Sequence, residues 1–362
     1  MKSVLRTLAA TSAIIAIAGM AQAEDRIVNV YNWSDYIDES ILKDFEKETG
    51  VKVVYDTFDS NEILETKLLA GGTGYDIVVP SGTFLARQIQ AGVFQPLDKS
   101  KLPNLSNMWD VISARTDKYD PGGQHAINYM WGTTGIGYNV GAAKERGGEV
   151  VSWSTVFEPD QLAKYKDCGV HVLDAPEELI PAALNYLGKN PDSKDLDEIK
   201  EAEALLEKMT PNVQKFHSSE YINALANGDI CLAVGWSGDI FQARDRAAEA
   251  DKGVEVGYAI PKEGALMWFD MMAIPKDANN VEEAHEFINY IMRPEVIAKA
   301  SNYVFYANGN AASKELLDKE VLEDPAIYPD DATLAKTYIT TPYNARVQRA
   351  VTRAWTKVKT GQ

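Results

Sequence analysis

Between residues 26 and 80 the chain alternates two hydrophobic periods, and that alternation limits the fold more than any other feature. RIVNVYNW reads as a strand. Asp38 then stands where a helix N-cap belongs, and Ile41, Leu42 and Phe45 follow at helical spacing up to Thr49-Gly50. VKVVYDTF reads as a second strand, and Asp59-x-x-Glu62 has the spacing of a capping box opening a helix to Leu69. Gly71-Gly72 stop it. YDIVVP is a short, continuously apolar run, the kind of strand that a parallel sheet buries on both faces. Parallel strands require crossover helices, so this β-α-β-α-β run predicts an open α/β sheet with ligands at the carboxyl ends of its strands.

The strand-into-helix pattern returns in VHVLDAPEE, CLAVGWSGD and ALMWFDMMAIP. Among these, Ser193 to Met209 reads as a solvated amphipathic helix, with Leu196, Ile199, Leu205 and Leu206 on its apolar stripe. No low-complexity linker separates the two α/β regions. They are therefore expected to form two lobes joined by strands that pass between them.

The first 23 residues stand outside this pattern. Lys2 and Arg6 precede an apolar run from Leu8 to Met20, and Ala21-Gln22-Ala23 is a cleavage site, so a secretory signal peptide is expected. A span of the bilayer needs about 20 apolar residues, more than this run offers. No cysteine follows the site for lipid attachment. With 36 bases and 53 acids the net charge is −17, and removing Lys2 and Arg6 takes it to −19. So acidic a surface argues against nucleic acid and anionic membranes as partners. In an exported chain the even pair Cys168 and Cys231 reads as a disulfide, with two buried thiols as the alternative.

The motifs of common enzymes are missing. There is no G-x-x-x-x-G-K-[ST], GTTGIGYNVG lacks the third glycine of a dinucleotide turn, and GWSGD is not G-x-S-x-G. His125, His171, His217 and His285 have no metal-ligand spacing. No catalysis, metal or cofactor is expected.

Instead, tryptophan recurs beside aspartate. Trp33-Ser34-Asp35-Tyr36 closes the first strand, Trp236-Ser237-Gly238-Asp239 closes another, and Trp268 and Asp270 share one face of a third. An alkyl diammonium would need carboxylates for its charges and flat apolar walls for its methylenes, and indole faces attract cations by ~0.5–2 kcal/mol. Core packing for each indole, an N-cap role for Asp239, and a carbohydrate ligand are the competing readings of the same residues.

YNWSDYI, FEKETGVKVVYDTFDSNE, VFQPLDKSKLP, YMWGTTGIGYN, LDAPEE, NYLGK, FHSSEYINALANGDIC, IPKEGA, VFYAN and RAWTKVK together resemble the periplasmic polyamine-binding proteins of bacterial ABC importers, with the putrescine-binding branch nearest. The resemblance implies a class II periplasmic binding protein fold, α/β, with two lobes, a hinge and an interlobe cleft. Residues 24–129 with 248–314 would form one lobe, and 130–247 with 315–362 the other. Carried over by position, it implies an aromatic box of Trp33, Tyr36, Trp236, Trp268 and Tyr306, and ammonium-binding acids Glu178, Asp239 and Asp270. Ser34, Ser81 and Ser218 would add polar contacts, while Asp35 would face the cleft or support its loop. Thr83 and Trp268 depart from the putrescine branch, where serine and phenylalanine are familiar, whereas Ala175 agrees with it. The second indole leaves spermidine open as a ligand beside putrescine. The resemblance also implies a disulfide between Cys168 and Cys231 and an inner-membrane ABC permease as partner; a monomer is expected, and a sensor input that docks on a receptor is the alternative.

Overall fold

The computed structural model describes residues 26–360, so the expected signal peptide lies outside the described residues. Ten strands form one continuous sheet: β1 (Ile27–Trp33), β2 (Lys52–Phe58), β3 (Ile77–Val78), β4 (Ala126–Asn139), β5 (Val170–Val172), β6 (Lys215–Phe216), β7 (Leu232–Trp236), β8 (Val256–Ala259), β9 (Met267–Ala273) and β10 (Ala307–Asn308). Their order is β2-β1-β3-β9-β4-β7-β5-β6, with β8 and β10 also paired to β4.

β4 decides the architecture. Its first half, Ala126 to Thr133, pairs antiparallel with β9, and its second half, Thr134 to Tyr138, pairs antiparallel with β7. The strand therefore leaves one lobe and enters the other without a turn. On either side lie two separate cores. The first gathers β1, β3, β9 and the helices α1 (Glu39–Thr49), α2 (Asn61–Ala70) and α3 (Gly82–Gln90) around Phe45, Tyr129 and Phe269. The second gathers β5, β7 and the Pro176–Tyr186, Leu196–Met209 and Ala345–Thr360 helices around Trp153, Phe157 and Tyr221.

Local rules account for most element ends. Asp38 accepts from the Ser40 N–H, and Gly50 closes α1 in the left-handed region at φ 70°. α2 is capped by Ser60, whose hydroxyl accepts from the Ile63 N–H, one residue beyond the expected Asp59. This shift leaves the Asp59 side chain free of the cap. The charged helix starts at Leu196 behind Asp195, which accepts from two backbone N–H groups, and buries Ile199, Ala202, Leu206 and Met209.

Two expectations need correction. ALMWFDMMAIP does not run into a helix: β9 is antiparallel to its neighbours, and the next helix begins at Val281. The lobe boundaries also move. Leu317, Val321 and Ile327 pack in the first core, whereas Val256 and the β8 pairing with Ile136 to Asn139 belong to the second. Apolar burial and strand pairing assign these segments, and neither could be read from the chain order. Cys168 and Cys231 are joined by a disulfide, their Cα atoms 5.7 Å apart, linking the start of β5 to the start of β7.

Candidate functional site

A cavity of about 440 Å³, its mouth included, lies between the two cores. β1 and β7 end at it, so their last residues, Trp33 and Trp236, project from facing lobes and meet edge to face with centroids 5.5 Å apart. β9 runs the opposite way, which brings its beginning to the same level. That reversal is what places Trp268 and Asp270 in the cavity wall, and Asp270 bridges to Ser81 just beyond β3. Tyr306 stands edge-on to both Trp268 and Tyr36, at 5.3 and 5.1 Å. The Trp33 indole is held by its N–H donating to the Val79 carbonyl at 2.9 Å.

Three carboxylates line this aromatic enclosure, Asp239 and Asp270 buried and Glu178 half-buried. Asp270 accepts from Tyr36 at 2.7 Å and from Ser81 at 2.6 Å. Asp239 accepts from the Tyr221 and Tyr306 hydroxyls at 2.6 and 2.7 Å. Glu178 accepts from the Thr134 hydroxyl, on the crossing strand at its point of lobe exchange. Among the described residues no Lys or Arg bonds any of the three, so each is held by neutral donors. Burial pushes Asp270 and Glu178 up to about 7, against the pull of those hydrogen bonds. Burial likewise pushes Asp239 up to about 6. Ionising these carboxyls in a low dielectric is costly, and an organic cation beside them offsets that cost.

Asp239 is not the cap of the Ser237–Ala250 helix; Trp236 occupies that position and makes no side-chain cap bond. Asp239 sits in the first turn, where the helix macrodipole favours a carboxylate.

Ser34, Ser81 and Ser218 share the cavity with the aromatic and acidic residues expected there, whereas Asp35 and Thr83 do not line it. Asp35 adopts a left-handed φ of 53°, turning its carboxylate outward to Arg246 at 2.6 Å, while its carbonyl accepts from Gln242 at 3.1 Å. Thr83 donates instead to Glu177 at 3.3 Å. Two lining residues were not anticipated, Asp59 and Asn61. Asn61 bonds Ser81 through both its amide groups, at 2.9 and 3.0 Å. Reading DSNE as a helix start hid them. The displaced cap at Ser60 would have been the only local signal.

Residues 40–329 match the family described as bacterial extracellular solute-binding protein. The chain belongs to this family. The putrescine-binding periplasmic protein SpuD of Pseudomonas aeruginosa is 53% identical, covering 100% of both chains. The putrescine-binding periplasmic protein PotF of Escherichia coli is 52% identical, covering 100% of this chain and 99% of its own. Among solved structures, the spermidine/putrescine ABC transporter substrate-binding protein PotD of Streptococcus pneumoniae superimposes with a TM-score of 0.75 at 32% identity, over 92% of this chain and 98% of that one. The two-lobed α/β fold of a periplasmic binding protein, expected from the sequence, is the fold observed. This family member carries its cavity at the lobe junction.

Proposed function

We propose that this chain is a periplasmic solute-binding protein that captures putrescine, with spermidine as a second ligand, and delivers it to an inner-membrane ABC permease. The observation that carries the reading is the trio of carboxylates lining the cavity, Glu178, Asp239 and Asp270, held only by neutral donors inside an aromatic wall. Such a cavity suits two ammonium groups joined by methylenes, because the acids meet the charges and the indole faces cover the spacer. The names of the close relatives SpuD and PotF support the same ligand. Spermidine is admitted because Asp59 adds a further carboxylate to the lining and Trp268 a broad flat face.

In this reading the signal peptide is cleaved after Ala23 and the mature monomer works in the periplasm without catalysing a reaction. β4 and the other crossing segments act as the hinge, and the ligand favours closure because only the closed form presents both walls to it. A periplasmic extract and a mature N-terminal sequence beginning at Glu24 check the export step.

Calorimetry of refolded, ligand-stripped protein against putrescine, cadaverine, spermidine and agmatine tests the ligand. Putrescine should bind with the highest affinity. Absence of heat with every amine would remove this function. Asp239→Asn should weaken putrescine by about 3 kcal/mol, since it removes one partner of a buried charge pair.

A further inference from the structure

We propose that Arg87 is a positioning residue for the ligand cavity, reaching across from the first lobe to Glu177 and so fixing the helix turn that carries Glu178. The proposal rests on the amine-binding reading above for its ligand, but its geometry stands independently. Arg87 lies on α3, one turn after Thr83, and both side chains converge on Glu177. The Arg87 Nη1 donates to Glu177 Oε1 at 2.7 Å, and the Thr83 hydroxyl donates to the other oxygen at 3.3 Å. Both oxygens of a carboxylate from one lobe are thus engaged by donors from the other.

Arg87 is prepared for this contact within its own lobe. Glu65, on the neighbouring helix α2, accepts from Nε at 2.5 Å and from Nη2 at 2.9 Å. A bidentate clamp of this type fixes the plane of the guanidinium, leaving Nη1 aimed across the cleft. The Phe84 ring lies 3.7 Å from the guanidinium carbon and covers it further. Side-chain exposures of 18% for Arg87, 20% for Glu65 and 12% for Glu177 separate this cluster from ordinary surface ion pairs, which contribute little.

Glu177 and Glu178 are consecutive in the first turn of the Pro176–Tyr186 helix. Glu177 faces Arg87 while Glu178 faces the cavity. The charge of Glu177 is one of the influences that raise Glu178, so the guanidinium has two effects. It anchors the turn in the closed form, and it compensates a carboxylate that would otherwise oppose ionisation of Glu178.

Stopped-flow tryptophan fluorescence with putrescine tests the assignment, using Arg87→Gln, Glu177→Gln and the double variant. Arg87→Gln should release putrescine on the order of tenfold faster with little change in association, because the contact forms only after the lobes meet. Glu177→Gln leaves the Arg87–Glu65 clamp intact, so it separates the cross-lobe contact from a folding defect. The double variant should be no worse than Arg87→Gln alone, and Arg87→Lys should recover part of the loss. Release within twofold of the parent for Arg87→Gln, or independent effects that multiply in the double variant, would overturn the proposal.

If no amine binds the parent protein, the function fails and Arg87 is judged by distance instead. Spin labels at Leu69→Cys and Lys200→Cys, exposed positions on the two lobes, report closure in the ligand-free protein. Arg87→Gln should shift that distribution to longer distances, and an unchanged distribution would overturn the assignment.

Discussion

At the residue scale, the raised carboxyls make ligand capture depend on pH. Asp270 and Glu178 near 7 and Asp239 near 6 retain protons as pH falls through that range, and a cation must displace them. Putrescine affinity should therefore fall as pH is lowered from about 8 to about 5.5, by up to roughly tenfold per unit for each proton displaced. Titration calorimetry across that range checks it, and a flat profile would contradict the ionisation scheme. The same groups act on stability with a defined sign. Their unfolded values lie near 4, so between about pH 4 and 7 the native state binds more protons than the unfolded state. The ligand-free protein should lose stability as pH rises through this window. Asp270→Asn should remove part of that loss, on the order of 2–4 kcal/mol at pH 8. Melting curves of the two proteins at several pH values measure the difference.

At the scale of elements, two glycines let strands and helices approach closely enough to build the aromatic wall. A Cβ at Gly132 on β4 would meet the Trp268 ring at 2.7 Å and the Ser237 hydroxyl at 2.8 Å. A Cβ at Gly238, in the first turn of the Ser237–Ala250 helix, would meet the Tyr306 ring at 2.4 Å. Gly132→Ala should displace Trp268 and destabilise by about 1–3 kcal/mol, the usual cost of overpacking. Gly238→Ala should separate Tyr306 from Asp239 and weaken putrescine more than it lowers the melting temperature; equal binding by the variant would reject this role. The disulfide acts differently, through the unfolded chain. Cys231→Ser opens a loop of 63 residues and should cost about 4 kcal/mol in denaturant titrations, with the cavity unaltered. Element identity was largely legible in the sequence because period and caps are local. β1, α1 and the Leu196–Met209 helix follow their patterns, whereas the reversed direction of β9 depends on which strand it pairs with.

For the whole molecule, the proposed function makes closure of the two lobes the variable that matters. Trp33 and Trp236 meet only because the lobes are together, and the Arg246–Asp35 and Arg87–Glu177 pairs add cross-lobe contacts away from the two indoles. A ligand that binds the folded state alone stabilises it by mass action. Putrescine at about 100 times its dissociation constant should add about 2.7 kcal/mol, visible as a higher melting temperature. Asp35 shows why site residues were harder to read than elements. It sits within the WSDY motif beside two residues that line the cavity, yet its left-handed backbone sends the carboxylate to the opposite lobe's Arg246.

The alternation that makes an α/β sheet, the helix ends at Asp38 and Gly50, and the recurrence of indole beside carboxylate at strand ends are all written in the chain order. These depend on neighbours a few residues away, whose spacing the chain states directly. Which carboxylates share one cavity, and what holds them, follows from long-range packing. Tyr36 and Asp270 are 234 residues apart, Tyr306 and Asp239 are 67 apart, and Arg87 and Glu177 are 90 apart. No local period encodes such distances. They are fixed when β4 passes from one core to the other and burial forces each acid to find its donors on other elements of the fold.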